Sequence, residues 1–368
     1  MSDGNKPAPG AGRTILIMAG GTGGHIFPAL AVAEHLRAQG WHVAWVGVRG
    51  GMEERIIPPR GYAMSWVRFS GVRGRGLVAA ALLPFNLLVA FWQTARALFV
   101  HRPDVVLGMG GYVSFPGAMM ASFFNRPLAI HEQNSVAGLA NRVLARLADR
   151  VLTTFPNAFG EATAVIWTGN PVREEIVAMA PPENRYASRA GPLRVLVVGG
   201  SQGAQVLNTI VPEALALMAA PARPRILHQA GAARHDAVQA RYQSCGVTAE
   251  VVPFIDDMAG RYAETDLIVC RAGATTVAEI AAAGIASVLV PYPHSVDDHQ
   301  TTNARFLADR GAALLIPQGE LTAERLAEMF STFSRERLLA MAQAARSAGK
   351  PEATRSVAQV CVELAGAA

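Results

Sequence analysis

Twice in this chain a short apolar run ends in a glycine-rich loop that opens a helix, and this repeat limits the fold more than any other feature. Residues 14–19 lead into Gly20-Gly21-Thr22-Gly23-Gly24-His25, after which Ile26, Ala29, Leu30, Ala33 and Leu36 recur at helical spacing. Residues 193–198 lead into Gly199-Gly200-Ser201-Gln202-Gly203-Ala204 and another helical run. Strand-like and helical segments go on alternating after each loop, the pattern of a parallel sheet covered by helices. The fold class expected is α/β, with two doubly wound Rossmann-like domains whose glycine loops face one another across a cleft. The 368 residues are enough for two cores. The expected plan is a frayed tail at residues 1–13, a first domain at 14–179, a Pro-rich linker at 180–192 and a second domain at 193–350. A closing helix within 351–368 is expected to cross back and brace the first domain.

The first loop is not a familiar nucleotide fingerprint. The last glycine of G-x-G-x-x-G is replaced by Ile26, and the second strand ends at Val48-Arg49 without a ribose-binding acid. No Lys-Ser/Thr pair follows, which excludes a Walker loop. What remains is a cradle of backbone N–H groups that carries a histidine. A nicotinamide-dependent oxidoreductase is disfavoured for the same reasons.

Composition, at 51% hydrophobic and 17% charged residues, excludes a disordered chain. A formal charge of +5 favours an anionic partner without choosing among nucleotide, phospholipid and nucleic acid. Cys245, Cys270 and Cys361 are scattered, so neither a disulfide framework nor a zinc site is indicated, and a reducing cytoplasm fits. Residues 1–13 hold no apolar core of a secretory signal. Between Arg68 and Arg102 lies a 16-residue apolar run, Leu77 to Trp92, broken by Pro84 and Asn86 and flanked by arginines. It is shorter than the roughly 20 residues of a spanning helix, so it is expected not to cross a bilayer. It reads either as core helices or as a patch that dips into an anionic membrane face, with Trp92 and the arginines favouring the second.

The chemistry concentrates at strand ends. Leu267-Ile268-Val269 runs into Cys270-Arg271-Ala272-Gly273-Ala274-Thr275-Thr276-Val277-Ala278-Glu279, a strand stopping in a small-residue loop that opens a helix. A helix start presents unpaired N–H groups and partial positive charge, which suits a phosphate, and Glu279 one turn on could accept both hydroxyls of a ribose. Residues 297–303 bring further polar groups past the next strand end, where open α/β sheets hold ligands. In the first half, His131-Glu132-Gln133-Asn134-Ser135 closes another strand ahead of a helix expected over residues 137–147.

These motifs occur in one order: both glycine loops, His25, His131 to Asn134, Gly169-Asn170-Pro171-Val172-Arg173, residues 270–279 and Asp298-His299-Gln300. Together, over nearly the whole chain from Thr14, they resemble the MurG family. The resemblance implies a GT-B fold, with an N-terminal acceptor domain and a C-terminal donor domain. It implies transfer of GlcNAc from UDP-GlcNAc to undecaprenyl-pyrophosphoryl-MurNAc-pentapeptide, with inversion. In its terms Ile255 reads uracil, Glu279 holds the ribose, and Ser201 with the N–H groups of Thr275 and Thr276 takes the diphosphate, Val277 and Ala278 belonging to the same helix start. Thr22, Gly23 and Gly24 close over the diphosphate. Asn134, Ala274 and Gln300 bond the sugar, and Arg173 adds charge. His299 departs from the glutamine of some members, which leaves Gln300 the better-supported contact.

The base for the acceptor hydroxyl is expected to be His25, with Glu132 as the alternative. No D-x-D motif occurs, so neither a metal nor another cofactor is expected, and Arg173 or Arg271 could meet the leaving-group charge. The implied setting is peripheral, on the cytoplasmic face of a bacterial inner membrane. Residues 68–102 would meet the anionic surface, with cell-wall synthesis proteins as possible partners and no nucleic acid. A UDP-GlcNAc 2-epimerase, a glycolipid transferase and a membrane-surface scaffold are the competing readings.

Overall fold

Parallel sheets are covered on both faces, so their central strands are largely apolar, and both halves of this chain follow that rule. The computed structural model describes residues 12–69, 82–161, 163–200 and 203–367, which fall into two units. Residues 1–11, 70–81 and Ser201 therefore lie outside the described residues, and so does most of the expected tail.

The first unit contains β1 (Thr14–Met18), α1 (Gly23–Ala38), β2 (His42–Gly47), α2 (Met52–Ile56), β3 (Ala63–Trp66) and α3 (Leu83–His101). It continues with β4 (Val105–Gly108), α4 (Ser114–Phe123), β5 (Leu128–Glu132), α5 (Leu139–Leu144), β6 (Arg150–Thr153) and β7 (Ile166–Trp167). Its sheet runs β3-β2-β1-β4-β5-β6-β7, all neighbours parallel. The order reverses between β1 and β4, the point at which such sheets open a crevice. The helix expected over residues 137–147 is confined to α5.

The second unit contains α6 (Glu174–Val177), α7 (Pro182–Ala187), β8 (Arg194–Val198), α8 (Gln205–Leu217), β9 (Arg225–Gln229), α9 (His235–Ser244) and β10 (Glu250–Val252). It goes on through α10 (Met258–Glu264), β11 (Leu267–Cys270), α11 (Ala274–Ala283), β12 (Ala286–Leu289), α12 (His299–Ala308), β13 (Ala313–Leu315), α13 (Ala323–Thr332) and α14 (Arg335–Ala348). The parallel order β10-β9-β8-β11-β12-β13 reverses between β8 and β11. The last helix, α15 (Ala353–Ala367), buries Val357, Ala358, Cys361 and Leu364 in the first unit's core beside Ile26 and Ala29 of α1.

Two expectations change. The boundary falls after Arg173, not at residue 179, and residues 180–192 are no free linker but part of the second unit. Arg185 on α7 is buried and donates to the carbonyls of Tyr262 (3.3 Å) and Ala283 (2.6 Å), while Arg189 pairs with the buried Asp266 carboxylate at 2.6 Å. Guanidiniums need acceptors when desolvated, and these backbone carbonyls fasten the segment in place.

The second change concerns the apolar stretch. An 18-residue window of the 19-residue α3 has a mean hydropathy of 1.3, so by length and composition it could cross a membrane. One face, Ala90, Thr94, Ala97 and Leu98, is instead buried on the first unit. The opposite face exposes Phe85, Leu88, Trp92 and Phe99, each 60–66% accessible, at helical spacing. These side chains are therefore not core.

Candidate active site

In the first unit the crevice at the strand reversal is lined by two glycine turns, residues 20–24 after β1 and residues 108–111 after β4. Gly21 (φ +88°), Gly110 (φ +94°) and Gly111 (φ +84°) take left-handed backbone that other residues rarely adopt. The turns touch: a Cβ on Gly111 would lie 2.2 Å from the Gly20 carbonyl oxygen, and one on Gly110 2.7 Å from the His25 ring. Absent side chains thus let backbone close around one imidazole.

That imidazole is half-buried, with its Nδ1 3.1 Å from the Gly20 carbonyl. A carbonyl only accepts, so Nδ1 carries the proton and Nε2 the lone pair. Burial pushes the His25 pKa below its ordinary 6.5, opposed by the Gly20 bond and by the charges of Glu132 and Glu53. At neutral pH the ring is neutral and basic at Nε2. Thr22 stands at the start of α1 in extended backbone, its hydroxyl 3.5 Å from the same Nδ1.

Glu132 ends β5 only 4% exposed. One oxygen accepts the Asn134 N–H (2.9 Å) and side-chain amide (3.3 Å); the other accepts the Gly138 N–H (3.2 Å) and the Asn141 amide (2.8 Å). The carboxylate organises the loop that presents Asn134. His131 is fully buried, donating from Nε2 to the Gly169 carbonyl (2.9 Å) and accepting the Gln133 amide at Nδ1 (3.2 Å). Burial lowers its pKa to about 4, so it stays neutral and ties β5 to the Gly169 turn. Arg173 lies 6.0 Å from the Phe27 ring on α1.

In the second unit a cleft of about 1180 Å³ opens at the other reversal. Its lining includes Gly199, Gly200 and Gly203 after β8, Gly273 and Thr276 at the start of α11, and Arg271, Tyr292, His294 and Gln300. Gly273 caps α11 in extended backbone and places no side chain over the helix start. Glu279 lies in the second turn, 8% exposed, accepting the Tyr262 hydroxyl at 3.1 Å. Arg271 donates to the carbonyls of Val290 (3.1 Å) and Pro291 (3.0 Å) and to Gln318 (2.6 Å), which fixes its guanidinium at the cleft wall. The Gln300 side-chain oxygen accepts the Tyr292 N–H at 2.9 Å. Asp297 and Asp298, just ahead, are left-handed at φ +52° and +49°. Backbone strain of that kind persists where surrounding structure enforces it. Ile255 is buried, 7% exposed, in the loop after β10.

Of the residues singled out from sequence, His25 and the Glu132 to Asn134 loop approach one another beside Gly110 in the first unit. In the second, Thr276, Arg271 and Gln300 line one cleft, while Glu279 is buried against Tyr262 farther along α11. Glu53, on α2, was missed. It is 1% exposed, and its only signal was a Met-Glu-Glu-Arg run that reads as a solvated helix face.

Two Rossmann-like units, one presenting a neutral imidazole and the other a glycine-lined cleft, have the GT-B architecture of glycosyltransferases, and the relatives of this chain bear this out. Sequence models of the Glycosyltransferase family 28 N-terminal domain match residues 15–153, and those of its C-terminal domain residues 194–359. The chain is 61% identical to a UDP-N-acetylglucosamine--N-acetylmuramyl-(pentapeptide) pyrophosphoryl-undecaprenol N-acetylglucosamine transferase of Aromatoleum aromaticum, over 96% of this chain and 98% of that one. A Cupriavidus metallidurans protein of the same name is 58% identical over 96% and 99%. The crystal structure of Acinetobacter baumannii MurG matches with a TM-score of 0.81 at 42% identity, covering 95% of this chain and 99% of that one. The chain belongs to glycosyltransferase family 28, among the MurG transferases.

Proposed function

We propose that the chain moves GlcNAc from UDP-GlcNAc to the 4-hydroxyl of MurNAc in undecaprenyl-pyrophosphoryl-MurNAc-pentapeptide, inverting the anomeric carbon. The observation that carries this reading is the 61% identity over nearly the full length to a transferase named for that donor sugar and acceptor. The acceptor oxygen attacks C1 of the sugar, the C1–O bond to the β-phosphate breaks, and its electron pair leaves with UDP. The 4-hydroxyl proton passes to Nε2 of His25. His25 is preferred to Glu132 because both Glu132 oxygens already accept hydrogen bonds, whereas the Gly20 carbonyl leaves Nε2 as the basic nitrogen.

Charge growing on UDP is met by the starts of α8 and α11, with Ser201, Thr275 and Thr276 at the phosphates and Val277 and Ala278 completing the turn. Glu279 takes the ribose hydroxyls and Ile255 the uracil edge through its backbone. Asn134, Ala274 and Gln300 hold the sugar. Thr22, Gly23, Gly24 and Arg173 supply further donors. No metal or cofactor enters this scheme.

The enzyme works as a peripheral protein on the cytoplasmic face of the inner membrane, among the cell-wall synthesis proteins. The exposed apolar face of α3, within the arginine-flanked stretch 68–102, supports contact with an anionic surface. Labelled UDP-GlcNAc given with a short-chain lipid-linked MurNAc-pentapeptide tests the reading. Sugar should reach the lipid from UDP-GlcNAc and not UDP-GalNAc, and should still do so in chelator. Release of ManNAc from UDP-GlcNAc alone would mean an epimerase instead.

A further inference from the structure

We propose that Glu53 is a positioning residue for His25, acting through the single peptide group that joins Gly20 to Gly21. The carbonyl of that peptide accepts the His25 Nδ1 proton at 3.1 Å, and its N–H donates to Glu53 Oε2 at 3.3 Å. The other carboxylate oxygen accepts the Val48 N–H at 2.9 Å. Carboxylate, peptide and imidazole thus form one hydrogen-bonded chain. Each bond in such a chain polarises the next, so a negative charge at one end favours positive charge at the other. The arrangement does through a peptide what a carboxylate touching an imidazole does directly.

The socket around this side chain is built from glycine. A Cβ on Gly20 would lie 2.6 Å from Glu53 Oε1, one on Gly51 2.5 Å from Oε2, and one on Gly47 2.8 Å from its Cγ. Gly20, from the turn after β1, and Gly47 and Gly51, from the end of β2 and the turn into α2, each leave out a side chain where the carboxylate sits. Among the described residues no ion pair to Glu53 is found, and the cost of burying this carboxylate is offset by the backbone N–H groups of Gly21 and Val48. The charged groups acting on His25 are Glu132 and Glu53. Glu132 is turned toward Asn134, Gly138 and Asn141, which leaves Glu53 as the carboxylate linked to the ring.

This inference rests on His25 being the base, and the test separates the two. Glu53→Gln keeps the shape and one acceptor oxygen but removes the charge. It should lower kcat about tenfold or more, leave KM for UDP-GlcNAc within about twofold, and move the acid limb of kcat/KM to lower pH. In a His25→Ala background the same change should cost nothing further, because the group it acts through is gone. Several results would overturn the proposal: kcat unchanged in Glu53→Gln, an equal added loss in the His25→Ala background, or a loss that comes with raised KM and a lowered Tm. Full turnover by His25→Ala alone would remove His25 as the base, whatever Glu53 does.

Discussion

Both units place a glycine loop where the strand order reverses, yet the two loops pack differently. In the first, Gly111 packs so closely on the Gly20 carbonyl that the crevice closes around the His25 side chain. In the second, Gly199 and Gly203 press on their own loop and on Ala230, and the space in front stays open as a cleft of about 1180 Å³. The same topology yields an imidazole held by backbone in one place and an open, glycine-lined cleft in the other. What differs is what the glycine contacts enclose: the imidazole of His25 in the first unit, open space bounded by the loop's own backbone and the Ala230 carbonyl in the second.

Paired glycine substitutions would break this comparison first. Gly111→Ala must displace the Gly20 carbonyl, 2.2 Å from the new methyl, and so should lower kcat about a hundredfold while donor affinity holds. Gly199→Ala puts its methyl 2.2 Å from the Ala204 nitrogen and should instead weaken UDP-GlcNAc binding, measured by calorimetry, by about tenfold or more. Exchanged phenotypes would reverse the assignment of the two loops.

The outer face of α3 offers the next effect. Each of Phe85, Leu88 and Trp92 would contribute about 1.5–3 kcal/mol if fully buried in lipid. Their joint replacement by serine should cut co-sedimentation with anionic vesicles at least about tenfold with Tm held, because they are exposed. Glu279→Gln, which replaces a charged acceptor, should raise KM for UDP-GlcNAc about tenfold and leave saturated turnover nearly intact. The smallest effect is in the pH profile. His25 has its pKa below 6.5, and the protonated ring cannot act as base, so kcat/KM should stay level above pH 6.5 and fall only below it. A limb above that value would point to another base.

Much of this was legible in the sequence, because the strand runs and glycine turns are local signals. The parallel order follows from alternation, and Glu279 and His25 follow from their distance to a glycine turn. Glu53 was not legible, since its link to His25 runs through the Gly20–Gly21 peptide, which it meets only in the folded unit. For Glu132, the residue type was visible but not its saturation by Asn141, nine positions on. The segment 180–192 looked like a linker because Pro and polar residues dominate it; only the carbonyls at the end of α11 show why its arginines are fastened down. The apolar run was measured to Trp92, whereas the helix continues to His101 through a buried Thr94 whose hydroxyl returns to the Ala90 carbonyl.

The division of labour between the loops is tested most directly by one measurement on His25→Ala, with UDP-GlcNAc affinity and single-turnover transfer read from the same preparation. The account predicts affinity within about twofold of the unaltered protein and transfer slowed by about a hundredfold or more. Transfer at the normal rate, or affinity lost together with transfer, would contradict it.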